Sequence, residues 1–262
     1  MSGKECSKKK HSSAVSSSAV SSSKELGYEA HHSKVWGAWV LSVLGAGLLI
    51  FIMLITSVEL VAYGDMGYYQ KEYEKYEVAE DLQMEMPDIM EVTKEMMAFL
   101  RGDRENLIVE TTVNKQPREF FNESEIAHMV DVQEIFVAGL QQRNMAILLV
   151  VGIAVILMWK YAKQWKRIFP QAFLGTTLVF VGVGALLGGL FALDFNRCFV
   201  IFHGIFFEAD TWIFDPNVSL MINMLPEGLF YDMAIRIVVV FVIMLLGSGA
   251  IINYTYRKLK LY

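Results

Sequence analysis

Four long stretches of the chain are almost free of charge, and the polar residues are swept into the segments between them. Val35 to Ala62 holds one ionisable residue, Glu59, near its far end, while Met145 to Trp159, Gln171 to Leu193 and Ile237 to Tyr256 hold none. A helix that crosses a bilayer needs roughly 20 apolar residues, and three of the four runs meet that length. The second is short. It recruits Tyr161 and Ala162, with Lys160 and Arg143 reaching toward the headgroups along their apolar stems. The pattern predicts spans over 35–62, 144–162, 171–193 and 233–256. The first is too long for the roughly 7–15-residue apolar region of a cleavable signal and reads as a signal-anchor.

Between the first two spans, residues 64–142 carry shorter periodicities. Tyr68, Tyr69, Tyr73 and Tyr76 run through an acidic stretch with helical spacing, interrupted at Pro87. Asp88 to Leu100 places Ile89, Met90, Val92, Met96, Met97 and Phe99 on an amphipathic helix that Gly102 ends. Leu107–Val113 alternates as a strand does, with a turn near Asn114–Pro117. Asn122 followed by Glu125 has the spacing of a capping box, and opens a helix that runs on toward the second span. Residues 194–232 form a second intervening segment. In it Phe199, Phe202, His203 and Phe206 share one helical face, Asp215–Pro216 breaks the chain, and Ser219–Leu225 reads as a short helix stopped before Pro226. The fold class expected is mainly α: a polytopic membrane protein of four transmembrane helices with an extracytoplasmic, mostly helical cap containing some strand. The glycines of the third span, Gly175, Gly182, Gly184, Gly188 and Gly189, read as small-residue contacts between helices.

Charge then orients the chain. Lys4, Lys8, Lys9, Lys10, Lys24 and Lys34 precede the first span, Lys160, Lys163, Lys166 and Arg167 lie in or beside the 163–170 linker, and Arg257, Lys258 and Lys260 follow the last span. Residues 64–142, by contrast, carry eighteen Asp or Glu against seven Lys or Arg. Basic segments stay on the cytoplasmic side, so both termini are expected inside, with 64–142 and 194–232 at the extracytoplasmic face of the cell membrane. Trp36, Trp39, Trp159 and Trp165 fall where interfacial belts belong. The Ser-rich residues 1–33 and the tail 257–262 bury no core, and the former is expected to be disordered. His11, His31 and His32 read as part of that solvated tail rather than a metal tract. The two cysteines, Cys6 and Cys198, fall on opposite sides of the membrane and do not pair.

Hydrophobic residues make up 54% of the chain and charged residues 19%, a balance that fits spans plus a charged cap. No phosphate loop, His-Glu-x-x-His or Gly-x-Ser-x-Gly motif occurs, and no cofactor or metal is expected. No span carries the central ionisable residue of an ion pathway. Two histidines outside the tail remain. Glu125, His128 and Asp131 are spaced by threes on one helical face, where a carboxylate would raise the imidazole's basicity and fix its tautomer. His203 lies among apolar rings, and burial there lowers its pKa. A lone histidine of this kind is more often structural than catalytic.

The stretches Glu125-Ile-Ala-His128-Met-Val-Asp131-Val132 and Phe202-His203-Gly-Ile-Phe206-Phe207 carry a resemblance. So does Trp212-Ile-Phe-Asp215-Pro216 with Leu220, Ile222 and Pro226. In this order relative to four spans, the chain resembles the lipoprotein intramolecular transacylase family of Gram-positive bacterial membranes. The likeness runs from the first span to the fourth and leaves out the Ser-rich tail. It implies an enzyme that moves the sn-2 acyl chain of a diacylglyceryl-modified lipoprotein to the α-amino group of its N-terminal Cys, giving a lyso-form lipoprotein. The implied partners are that lipoprotein and membrane lipid, with no nucleic acid. Under this reading His128 and His203 are the acid–base pair and Glu125 or Asp131 orients His128. Phe206, Phe207 and Trp212 line the acyl pocket, joined by Asp215 and by Arg236, which otherwise snorkels. An ester hydrolase using the same histidines and a non-enzymatic sensor or accessory subunit are the competing readings.

Overall fold

The computed structural model describes residues 33–208 and 211–258. The expected tail disorder, the tail histidines and Cys6 lie outside the described residues.

Four helices are long and apolar enough to cross a membrane: α1 (Ser33–Tyr63), α5 (Glu123–Lys160), α6 (Trp165–Leu193) and α9 (Glu227–Lys258). α1 is the hub, packing against each of the other three. Its buried stripe is Ala38, Ser42, Ala46 and Ile50, spaced by fours, so small side chains repeat on one face and neighbouring backbones come close. Gly37 and Gly45 complete the close fit. A methyl group at Gly37 would stand 2.6 Å from the Tyr161 hydroxyl, and one at Gly45 would stand 3.2 Å from Ile153. The glycines of α6 do the opposite of what their spacing predicts. Around Gly175, Gly182, Gly184, Gly188 and Gly189 no atom lies within 4 Å of an added Cβ. Helix contact needs a facing partner, and residues 178–190 of α6 are exposed on every side among the described residues.

The intervening segments form a cap with its own core. After α1 the chain makes α2 (Met66–Lys75), α3 (Val78–Leu82) and α4 (Met86–Arg101). The interruption read at Pro87 falls between α3 and α4. Pro87 sits in the first turn of α4, where a missing N–H costs nothing. Gly102 ends α4 in the left-handed region at φ 83°. The hairpin of β1 (Glu110–Val113) and β2 (Gln116–Glu119) pairs Val113 with Gln116 across Asn114 and Lys115, both at positive φ (50° and 62°), which is the twist a two-residue hairpin needs. The expected strand over 107–113 is thus shorter, with the Val109 carbonyl still accepting from the Phe120 amide at 2.9 Å and Leu107 and Val109 packed in the core. Tyr69, Tyr73, Ile89, Phe99 and Phe120 are buried at its centre. Their polar ends are satisfied: Tyr69 Oη donates to the Ala62 carbonyl at 2.9 Å, and Tyr73 Oη and Thr93 Oγ1 lie 2.8 Å apart.

One helix joins cap to bundle without a break. At 1.5 Å per residue, the 38 residues of α5 span about 57 Å, nearly twice the ~30 Å hydrocarbon layer. Its apolar run begins at Met145, so the turns from Glu123 to Asn144 belong to the cap. Ion pairs gather near the same level: Arg143 with Glu59, and Arg236 with Asp65 at 2.9 Å.

Candidate functional site

Asn122 caps α5, its side chain accepting from the Glu125 amide at 3.0 Å, while the Glu125 carboxylate accepts from the Asn122 amide at 2.8 Å. This closes the capping box read in the sequence. His128 follows one turn later, 6% exposed. The second histidine comes from α7 (Phe195–Phe206), which starts where Asp194 ends α6 and accepts from the Arg197 amide at 3.0 Å.

These elements bring the two imidazoles together across 75 residues of sequence. Their rings face each other at 6.1 Å between centroids with 28° between planes. Imidazole nitrogens donate and accept in the ring plane, so hydrogen bonds of about 3 Å from both rings reach an ester group bound at the edges of the stacked pair, and not between its faces. Aromatic side chains enclose the pair. Phe207 lies 4.8 Å from His128 and 5.3 Å from His203, Phe214 lies 5.6 Å from His128, and Trp212 and Phe199 lie 4.8 and 4.0 Å from His203.

His203 Nδ1 is 2.9 Å from the Phe199 carbonyl oxygen. A carbonyl only accepts, so Nδ1 carries the proton and Nε2 presents a lone pair in the neutral ring. His128 Nδ1 is buried without a hydrogen-bond partner among the described residues, a costly state for a polar atom. Desolvation pushes the His128 pKa down to about 4, helped by the nearby His203 and opposed by Asp131. Burial lowers that of His203 as well, against the Phe199 hydrogen bond. Both rings are therefore neutral at pH 7. The expectation that a carboxylate raises His128 is overturned, because removal from water outweighs the charge.

The remaining expected residues divide. Phe207 and Trp212 touch the imidazoles. Glu125 makes no hydrogen bond to the His128 ring among the described residues. It is fully buried, and besides the cap it accepts from Ser219 Oγ and from the Met221 amide at 3.2 Å. Asp131 is exposed and reaches His128 only through its field. Phe206 is 53% exposed and packs on Phe202 at 4.7 Å. Asp215 holds a turn, accepting from the Asn217 amide at 2.9 Å. Arg236 is engaged with Asp65 and lies over the Tyr68 ring at 4.4 Å, so it turns to the cap rather than to the imidazoles. Two residues of the site, Phe199 on the helical face of His203 and Phe214 within the Trp212–Pro216 stretch, carry no role at the imidazoles in the sequence reading. Phe199 stands four residues before His203, where its carbonyl was legible as a helical partner. Phe214 arrives on an irregular loop, where no periodicity says which way its ring turns.

Residues 43–230 match the family model described as lipoprotein intramolecular transacylase Lit. Among solved structures, the chain is similar to the membrane-integral lipoprotein intramolecular transacylase Lit from Bacillus cereus, determined in meso. The TM-score is 0.70 at 21% identity, covering 86% of this chain and 98% of that one. A histidine-to-arginine variant of that protein gives 0.71 at 18% identity over 90% and 99% of the two chains. No curated protein matches the chain by sequence.

Proposed function

This chain belongs to the lipoprotein intramolecular transacylase family, and from that premise we propose that His128 and His203 carry the transfer at the extracytoplasmic face of the membrane. The chain is a multi-pass membrane protein and an acyltransferase. The substrate is a lipoprotein whose N-terminal Cys bears a diacylglyceryl group, and the sn-2 chain moves to the α-amino nitrogen. The orientation rests on the Lys and Arg residues flanking the spans, which put both termini inside and the acidic cap outside.

In this reading the amine lone pair attacks the sn-2 ester carbonyl while His203 Nε2 takes the nitrogen's proton. The bond to the glyceryl oxygen then breaks, and the same proton passes to that oxygen. One amide forms, one ester is lost, and the enzyme returns unchanged. His128, neutral and stacked beside His203, donates a hydrogen bond in its ring plane to the carbonyl oxygen as charge builds on it. The amine, with a reference pKa of about 8, is largely protonated at neutral pH, so it enters the step as its neutral fraction, the first proton already lost to water, and His203 takes the second as the carbon–nitrogen bond forms. Amine and ester already share one molecule, and the aromatic walls hold them in the ring-closed geometry that the chain would otherwise sample rarely.

The observation that carries the proposal is the face-to-face approach of the two rings at 6.1 Å inside an aromatic enclosure. The test is expression in a host that makes only diacylated lipoproteins, with mass spectrometry of a resident lipoprotein's N-terminal peptide. The intact chain gives the N-acylated lyso form. His128→Ala and His203→Ala each lose about 10²–10⁴-fold of that activity while the protein still inserts. Full activity in either variant removes that histidine from the chemistry, and release of free fatty acid in place of the N-acylated product turns the enzyme into a hydrolase.

A further inference from the structure

Glu125 is a carboxylate with no exposed surface and no Lys, Arg or His bonded to it among the described residues. Burying a charge costs several kcal/mol unless hydrogen bonds replace its water. One of its oxygens serves the α5 cap, accepting from the Asn122 amide. The other accepts from Ser219 Oγ and the Met221 amide, 94 and 96 residues further along the chain. A capping box alone needs only the first.

The second set of bonds closes a ring of contacts. Ser219 is 2% exposed and caps α8 (Leu220–Met224), accepting from the Ile222 amide at 3.3 Å. Its own amide donates to the Asp215 carbonyl at 2.9 Å, beside the bond from the Val218 amide at 3.0 Å. The turn from Asp215 to Ser219 is thus stiff, and just ahead of it stand Phe214 over His128 and Trp212 against His203. His128 sits one turn beyond Glu125 on α5. The path runs from Glu125 to Ser219, through the turn to Phe214, across to His128, and back along α5 to Glu125.

We infer that Glu125 is a positioning residue that acts through Ser219 to set the Trp212–Phe214 wall over the imidazoles, and so governs how tightly the acyl chain is held. This rests on the histidine reading above for what the wall encloses. It differs from a role for Glu125 as a partner of the His128 ring, which would act on proton transfer instead.

The two roles separate in a purified-enzyme assay on a synthetic diacylglyceryl lipopeptide in detergent micelles. A charge-assisted hydrogen bond is worth enough for about a tenfold effect. Glu125→Gln, which keeps one acceptor oxygen, is expected to raise KM about tenfold with kcat nearly unchanged and no movement of the acid limb of the pH profile. Ser219→Ala does the same to a smaller degree and, although it removes the α8 cap, leaves the Asn122–Glu125 box of α5 intact, which covers the case in which the Glu125 variant fails to fold. In the double variant the effects do not add, because both remove one contact path. A shift of the acid limb in Glu125→Gln, a fall in kcat at constant KM, or additive effects in the double variant would each overturn the inference. The control is His128→Ala in the same assay. Its retention of full activity would sink the histidine reading while leaving the KM result for Ser219→Ala to be judged by itself.

Discussion

The cap and the bundle are built on opposite accounts of where side chains go. In the cap, Tyr69, Tyr73, Ile89 and Phe99 are at most 2% exposed, and the exclusion of water holds the helices together. In α6, Leu178, Leu186, Leu187 and Leu190 are each more than half exposed, because lipid is as good a solvent for them as another helix. The bundle contacts depend instead on the small-residue stripe of α1. An apolar side chain therefore means packing in one half of this molecule and solvation in the other, and the imidazole pair lies on α5 and α7, where the two halves meet.

Substitutions ranked by expected size sharpen that contrast. Phe99→Ala empties the centre of the cap and is expected to cost about 3–5 kcal/mol, read as a lowered urea midpoint for cap unfolding in detergent; a cost below about 1 kcal/mol would mean the cap core is not cooperative. At the boundary the effect is on titration. His203 must be neutral to accept a proton, and desolvation holds its pKa below the ordinary value of about 6.5. Activity is lost as pH falls through the folded pKa, so the acid limb lies below that value once substrate protonation is allowed for. Phe207→Ala admits water beside both rings, and the limb should rise toward about 6.5 in a pH–rate profile; an unmoved limb would show that Phe207 does not keep the rings dry. Smallest is Leu187→Ala on the lipid face of α6, expected within about 0.5 kcal/mol of the parent in a thermal-inactivation assay. A loss as large as that of Phe99→Ala would break the contrast and reveal a helix seated against α6.

Much of this was legible along the chain because it is local. The four apolar runs, the end of α4 at Gly102, the Asn114–Lys115 turn and the Asn122–Glu125 box are each written within a few residues. The misreadings share the opposite property. Gly175 to Gly189 have the spacing of a contact stripe, but spacing does not say whether a partner faces it, and the stripe in use is Ala38, Ser42 and Ala46 on α1. The Glu125 carboxylate was read against His128, three residues away, while its second oxygen answers to Ser219 and Met221, which only the folded cap brings near. Burial, the dominant influence on both imidazoles, is a property of the assembled walls and of no single stretch.

The hydrogen bond from His203 to the Phe199 carbonyl leaves that imidazole with one working corner. Whatever arrives there, whether a proton, an acyl carbon or an alkylating reagent, departs from the same atom. The ring serves as a siding and not as a through-line, and a covalent trap laid for it should be found on Nε2 alone.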